Sequence, residues 1–334
     1  MDSAGMESTN RLSTANVTNI YEAIRGFREG TLILIIVAVC VIMSFVSPYF
    51  LTWPNIKAIL LSFSTEGIVV VGMTLILVVG GFDLSVGSVM CLAMVIGGKL
   101  FLLGVDPWLA SLIGIAVCSV IGLTIGIFVT KVGLNFFITT LAFMGIARGL
   151  CFVITQGTPL SLFALPKSFK FIGQGTIYSI PFTIFLFAII VVISDYLMRK
   201  SSLARKVFYT GSNEKAAIFS GIKTHRVKIV TCILCSTLAG LAGIIYMSRF
   251  GASIPGFGIG LELNAISAVV IGGASLTGGV GTVLGSILGI ALLQTITGSM
   301  VLLDVSPYWQ DLIRGGILLG AVSLDHIRHT RKRK

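Results

Sequence analysis

The sequence predicts an all-α polytopic membrane protein of about ten transmembrane helices, with the N- and C-termini both inside. Three observations predict it. Apolar residues fill 55% of the 334 positions and charged ones only 11%, against roughly a quarter charged in soluble domains. A soluble chain of this size could not hide so much apolar surface from water. The apolar residues also come in runs of roughly 20, the length that crosses a hydrocarbon core as a helix. Finally, Lys and Arg gather on one side of those runs. Disordered chains, disulfide-stapled secreted scaffolds and cytosolic enzymes are excluded.

In chain order the runs are 31–50, 58–80, 85–104, 108–130, 134–155, 179–198, 227–247, 258–276, 280–302 and 309–325. The first follows a polar stretch carrying Arg11, Arg25 and Arg28. It lies too far from the N-terminus for a cleaved signal peptide and is expected to remain as a helix. The eighth is interrupted by Glu262 and several glycines and is the weakest. The chain accordingly divides into an N-terminal tail (1–30), one transmembrane domain (31–325) and a basic tail (326–334), both tails cytoplasmic.

Orientation follows from the basic residues. With the N-terminus inside, 17 Lys and Arg lie inside: three in the N-terminal tail, Lys131, eight from Arg199 to Lys228, and five from Arg328 to Lys334. Only five lie outside, namely Lys57, Lys99, Lys167, Lys170 and Arg249. Topology therefore accounts for the net charge of +11, and nucleic acid is not an expected partner.

The longest inside connection, 199–226, reads RKSSLARKVFYTGSNEKAAIFSGIKTHR. Gly211-Ser212-Asn213 is turn chemistry. Ser212 or Asn213 is placed to cap a short helix starting near Glu214, and Gly221 to end it. Ala216, Ala217, Ile218 and Phe219 give that helix an apolar face. It is either a surface connector or a docking peg for a cytoplasmic partner. Outside, 156–178 is the long loop, open to an extracytoplasmic partner or a mere connector.

Reactive motifs are missing. There is no G-x-x-x-x-G-K-[ST], no H-E-x-x-H and no G-x-S-x-G, and the three histidines (His225, His326, His329) lie in polar segments. Cys232 and Cys235 form a C-x-x-C inside an apolar run without a nearby histidine. They are expected to act as small packing residues, and no metal site is expected.

Glycines at helix-packing spacing (Gly122/Gly126, Gly145/Gly149, Gly281/Gly285/Gly289, Gly316/Gly320) favour a tight bundle. Gly80-Gly81-Phe82-Asp83-Leu84-Ser85-Val86-Gly87 and Gly272-Gly273-Ala274-Ser275-Leu276-Thr277-Gly278-Gly279 share the pattern G-G-x-x-L-[ST]-x-G. Asp83 sits at a helix start, where capping of a re-entrant turn fully accounts for an acid and is the preferred reading over direct substrate contact. The intramembrane charges are Glu66, Arg148, Glu262, Asp311 and Arg314, each costly in lipid and expected to face protein or water. Asp311 and Arg314 are placed to neutralise one another. Arg148 and Glu262 are placed for an interhelix pair, a structural clamp or a gate.

Five motifs in fixed order carry a resemblance: VGMTLILVVGGFDLSVGS (71–88), FITTLAFMGIARG (137–149), TGSNEKAAIFSGI (210–222), LAGLAGIIYMSRF (238–250) and GLELNAISAVVIGGASLTGGVGT (260–282). The chain closely resembles the membrane permease of sugar-type ABC importers, the ribose permease group, from about residue 30 to 325. The resemblance implies the ribose/branched-chain amino acid ABC permease fold, in a bacterial inner membrane. It implies a cytoplasmic ABC ATPase, a periplasmic sugar-binding protein, and a second copy of the chain or a paralogous permease as partners. It also implies that this chain binds no cofactor, with ATP and Mg held by the ATPase.

The same resemblance makes Gly211–Ile222 a coupling helix, with Asn213, Ala216, Ala217, Phe219, Ser220 and Gly221 as its ATPase-coupling residues. The fifth span, carrying Asn135, Phe136, Phe137, Thr139 and Thr140, is the expected lining of the translocation path. There, Phe rings offer surface to a sugar, and Asn and Thr offer polar partners. Phe82, where the family commonly has Ile, is a mild departure. A ribose-like pentose is the expected cargo. The alternatives are an ion-coupled carrier, motivated by Glu66 and Arg148, and a permease of the same fold for a furanosyl signalling molecule or a nucleoside.

Overall fold

The computed structural model describes residues 28–331. The predicted tails therefore fall outside the described residues up to 27 and from 332. Among the described residues thirteen helices follow one another: α1 (Arg28–Val46), α2 (Trp53–Val78), α3 (Val86–Leu102), α4 (Pro107–Ile127), α5 (Phe136–Thr155), α6 (Lys167–Gln174), α7 (Phe182–Lys200), α8 (Ser202–Ser212), α9 (Glu214–Phe219), α10 (Thr224–Phe250), α11 (Leu261–Ile271), α12 (Val283–Leu302) and α13 (Pro307–Arg331). Four two-residue strands complete the described residues: β1 (Leu160–Ser161), β2 (Thr176–Ile177), β3 (Ile180–Pro181) and β4 (Ala252–Ser253), with β1 antiparallel to β4 and β2 to β3.

The helix boundaries follow from local chemistry. Asp106 caps α4, accepting from the Trp108 and Leu109 amides at 3.0 and 3.2 Å, and Pro107 opens the first turn. The π-helical turn Phe128–Val132 extends α4 and ends at Gly133, whose φ of 83° only glycine adopts freely. Asn135 then caps α5 by accepting from Phe137 N at 2.8 Å, and Thr282 caps α12 by accepting from Gly285 N at 3.0 Å.

Among the described residues, seven helices are long and apolar enough to cross a membrane: α1, α2, α4 with its π-turn, α5, α7, α10 and α12. The chain is an all-α polytopic membrane protein. α3 and α11 are apolar but shorter. The predicted span 258–276 is corrected by the structure. Only Leu261–Ile271 is helical there, and 11 residues at about 1.5 Å each reach roughly half of a ~30 Å core. Glycines with positive φ on both sides (Gly258, Gly260, Gly273) end the helix early.

The core is built around α10, which packs against α2, α3 and α4. Missing side chains permit this. A Cβ on Gly72 would stand 2.9 Å from Cys235 Cα, and one on Gly122 2.9 Å from Ile233 Cα. Cys232 and Cys235 are buried free thiols at these crossings, as expected for small packing residues. Gly285 and Gly289 similarly meet the backbone of α11 and the turn that follows it. Gly145, Gly149, Gly316 and Gly320 do not share this role, because a Cβ on any of them meets nothing within 4 Å.

The bundle has two distinguishable ends. At one lie Glu29, the end of α2, α8, α9 and the turn 272–282, linked by Gly279 N donating to Val78 O (2.8 Å) and Thr282 Oγ1 donating to Glu29 Oε1 (3.2 Å). At the other, the loop 156–181 pairs with the end of α10. There Gly173 N donates to Ser248 Oγ (3.0 Å), and β1 joins β4.

Candidate coupling joint and translocation segment

α8 and α9 form a helical elbow. Ser201 caps α8, accepting from Leu203 N at 3.1 Å. Asn213 caps α9, accepting from Ala216 N at 3.0 Å. α9 closes with Ile222 N donating to Ala217 O (3.0 Å) and Gly221 N donating to Ile218 O (2.9 Å). This is the Schellman arrangement, and it requires the positive φ of 79° that Gly221 supplies. The Ser220 hydroxyl donates to Ala216 O at 3.0 Å. Ala217 faces inward, Ala216, Ile218 and Ser220 face outward, and Phe219 is 91% exposed. Lys228, on α10, holds Glu214 at 2.6 Å.

The elbow sits on a joint made of glycine. A Cβ on Gly211 would stand 2.7 Å from Gly279 N and closer still to Val78 O; one on Gly278 would stand 2.8 Å from Gly80 Cα and 3.0 Å from Gly211 O. The two turns sharing the G-G-x-x-L-[ST]-x-G pattern thus meet each other and the coupling segment at close backbone approach. The shared pattern was visible in the sequence. The contact with Gly211 was not, since 131 residues separate Gly80 from Gly211 and 67 separate Gly211 from Gly278.

The five residues expected to line a path divide by face. Asn135 is exposed and spends its side chain on the α5 cap. Phe137 is 52% exposed. Phe136, Thr139 and Thr140 are buried. The Phe136 ring covers Gly81, where a Cβ would come within 2.9 Å of it. The Thr140 hydroxyl donates to Phe136 O (2.9 Å) and reaches Phe82 O (3.3 Å), and that of Thr139 donates to Asn135 O (2.8 Å). Phe136 and Thr140 fix α5 to the 80–85 turn. Asp83 is also buried; its Oδ1 accepts from the Ser85 amide at 2.8 Å and from the Ser85 hydroxyl.

Arg148 and Glu262 do not form the ion pair their spacing suggested, because none within 4 Å joins them among the described residues. Arg148 Nη1 instead donates to Pro255 O and Phe257 O, both at 2.8 Å. These carbonyls belong to the non-helical stretch 254–260 between β4 and α11, which offers no helical partner for them. Irregular backbone at membrane depth is tolerated only where protein or a wet cavity satisfies it, and Arg148 supplies that satisfaction. Glu262 Oε1 accepts from Gly260 N at 3.1 Å; Oε2 is buried without a partner against Gly87. Asp311 and Arg314 do pair, at 3.2 Å. No group of His, Cys, Asp and Glu capable of holding a metal ion occurs among the described residues.

Residues 55–322 match the family described as branched-chain amino acid transport system / permease component. The chain belongs to this family. It is 37% identical over 285 residues to the ribose import permease protein of Bacillus subtilis, covering 85% of this chain and 88% of that one. It is 36% identical over 286 residues to the L-arabinose transport system permease protein of Escherichia coli (86% and 87% covered). It is 33% identical over 303 residues to the D-allose transport system permease protein of the same organism (90% and 92% covered). No solved structure matches it. The resemblance to sugar-type ABC permeases therefore holds over nearly whole chains. The permease is a multi-pass inner-membrane transport subunit without an ATPase of its own.

Proposed function

We propose that this permease is the membrane subunit of an ATP-driven importer that moves a monosaccharide, a ribose-like pentose, inward across the inner membrane. Its N- and C-termini and the α8–α9 elbow face the cytoplasm, where a separate ABC ATPase grips α9. A periplasmic sugar-binding protein delivers cargo at the opposite end, near the loop 156–181. A second copy, or a paralogue, completes the path. The open face of α5, carrying Phe137, Ile138, Leu141, Ile146 and Val153, is the surface offered to that second permease.

The observation that carries this reading is the elbow itself. An exposed, rigidly capped short helix has no packing reason to present Phe219 to solvent, and it rests on a joint that joins two helix-breaking turns. Displacement of α9 by an ATPase is then delivered through Gly211 to both turns at once. The outward pattern residues Asn213, Ala216, Ser220 and Gly221 serve this docking by shape, with small side chains letting α9 seat in a cleft, while the inward Ala217 seats α9 on its own chain.

The test is a gentle detergent pull-down of the full chain from its own membranes, with ATPase activity assayed on the eluate and D-ribose uptake measured in vesicles. The expected result is a co-eluting ATPase that is lost in Ala216→Arg, which alters the outward face of α9. Transport by the purified chain alone, abolished by collapsing an ion gradient, would overturn the reading in favour of an ion-coupled carrier. Uptake of a nucleoside that D-ribose does not compete would replace the sugar.

A further inference from the structure

Where α2, α12 and the one-third-exposed Arg314 of α13 approach one another, polar side chains gather that neither the joint nor Arg148 uses. Glu66 of α2 lies beside Gln294 of α12, within electrostatic reach of Arg314 on α13 and Arg249 on α10. Two atoms of this cluster are buried and unpartnered: Glu66 Oε2 and Arg314 Nε. One is an acceptor and the other a donor. Neither fills the other, and Arg314 spends Nη1 on Asp311. An orphaned polar atom inside a membrane bundle is expensive, so a complementary pair of orphans in one cluster marks a place for a group that both donates and accepts. A hydroxyl does both at one oxygen.

The surroundings favour a sugar hydroxyl. Tyr246 lies within electrostatic reach of Glu66 and belongs to an aromatic cluster, with Phe257 at 4.5 Å and Phe250 at 5.6 Å between ring centroids. Phe257 sits in the non-helical stretch that Arg148 holds. Polar planar groups beside aromatic rings match a pyranose or furanose, which presents hydroxyls at its edge and C–H groups on its face. Broken helices near the midplane are also where transporters place their sites.

We propose that Glu66, Gln294 and Arg314 form a hydroxyl-reading station for the cargo, next to the Tyr246–Phe250–Phe257 cluster. The inference rests on the sugar-permease reading and adds to it that selectivity is exercised within the membrane as well as by the binding protein. A resident water would satisfy the same two atoms, and the test separates the two.

The measurement is ATP-driven uptake by the intact complex of D-ribose and of 2-deoxy-D-ribose, with the same binding protein throughout so that its own preference cancels. The ratio of the two rates does not depend on how much protein folds. Glu66→Gln keeps the shape and removes the charge; Gln294→Leu removes the neighbouring amide. The expected result is a ratio about tenfold closer to one in each variant, the loss of roughly one hydrogen bond to a charged group. An unchanged ratio in either assembled variant overturns the station and assigns the cluster to a structural water. If Glu66→Gln does not assemble, Gln294→Leu alone decides. A wild-type complex that transports neither pentose would instead sink the sugar reading.

Discussion

Substituting Gly211 by alanine is the sharpest test of the joint. The added Cβ would sit 2.7 Å from Gly279 N, and ordinary contact begins at 3.4 Å, so the two backbones must part by at least 0.7 Å. Neither neighbour can yield as a flexible side chain would, because both are main chain. Val78 O already accepts the Gly279 amide at 2.8 Å, so parting the segments strains that bond too. Overpacking of this kind costs about 1–3 kcal/mol, and a weakened hydrogen bond adds roughly 1 kcal/mol. Gly211 lies in α8, outside the docking helix α9, so docking of the ATPase should survive. The expected phenotype is uncoupling, with co-purifying ATPase retained, sugar uptake reduced tenfold or more, and a lower thermal midpoint for the complex. Gly320→Ala is the control, since its Cβ meets nothing within 4 Å. Gly211→Ala with wild-type uptake and an unchanged midpoint would refute the argument that the joint transmits motion through backbone contact.

Three further outcomes follow from the same geometry. Arg148→Leu strands the carbonyl of Phe257 and leaves that of Pro255 only the Cys91 thiol at 3.2 Å, at about 1–3 kcal/mol for a buried unsatisfied group; the thermal midpoint should fall, with Arg148→Lys recovering part of it. Gly221→Ala places a Cβ at a φ of 79°, costing about 1–2 kcal/mol, and should fray α9 and weaken ATPase pull-down without lowering the midpoint of the bundle. Removing the Glu214–Lys228 pair by Lys228→Met should cost at most about 1 kcal/mol, because Glu214 is 43% exposed. Wild-type coupling, compared with this variant at 50 mM and 500 mM salt, should show the difference shrinking as salt rises.

The sequence alone determined the class, because the cost of leaving lipid-length apolar runs in water is large and local. Nine of the ten predicted runs contain a helix of comparable extent, and the short helix at Glu214 with its Asn213 cap and Gly221 stop forms as read. Capping and φ preferences act over three or four residues, so they are written in order along the chain. The half-length α11 also had a local cause in Gly258, Gly260 and Gly273, but so apolar a sequence concealed where the helix stops. Helix rotation was equally hidden, since a bundle surrounded by lipid has no polar face to mark the outside. Only the tertiary structure therefore decided that Phe136, Thr139 and Thr140 turn inward while Phe137 turns out. It alone sent Arg148 to two carbonyls rather than to Glu262, and it alone brought Gly211 against Val78, Gly80 and Gly278. Contacts between distant backbones leave no periodicity to read; they depend on how whole helices pack, and small residues permit many such packings while specifying none.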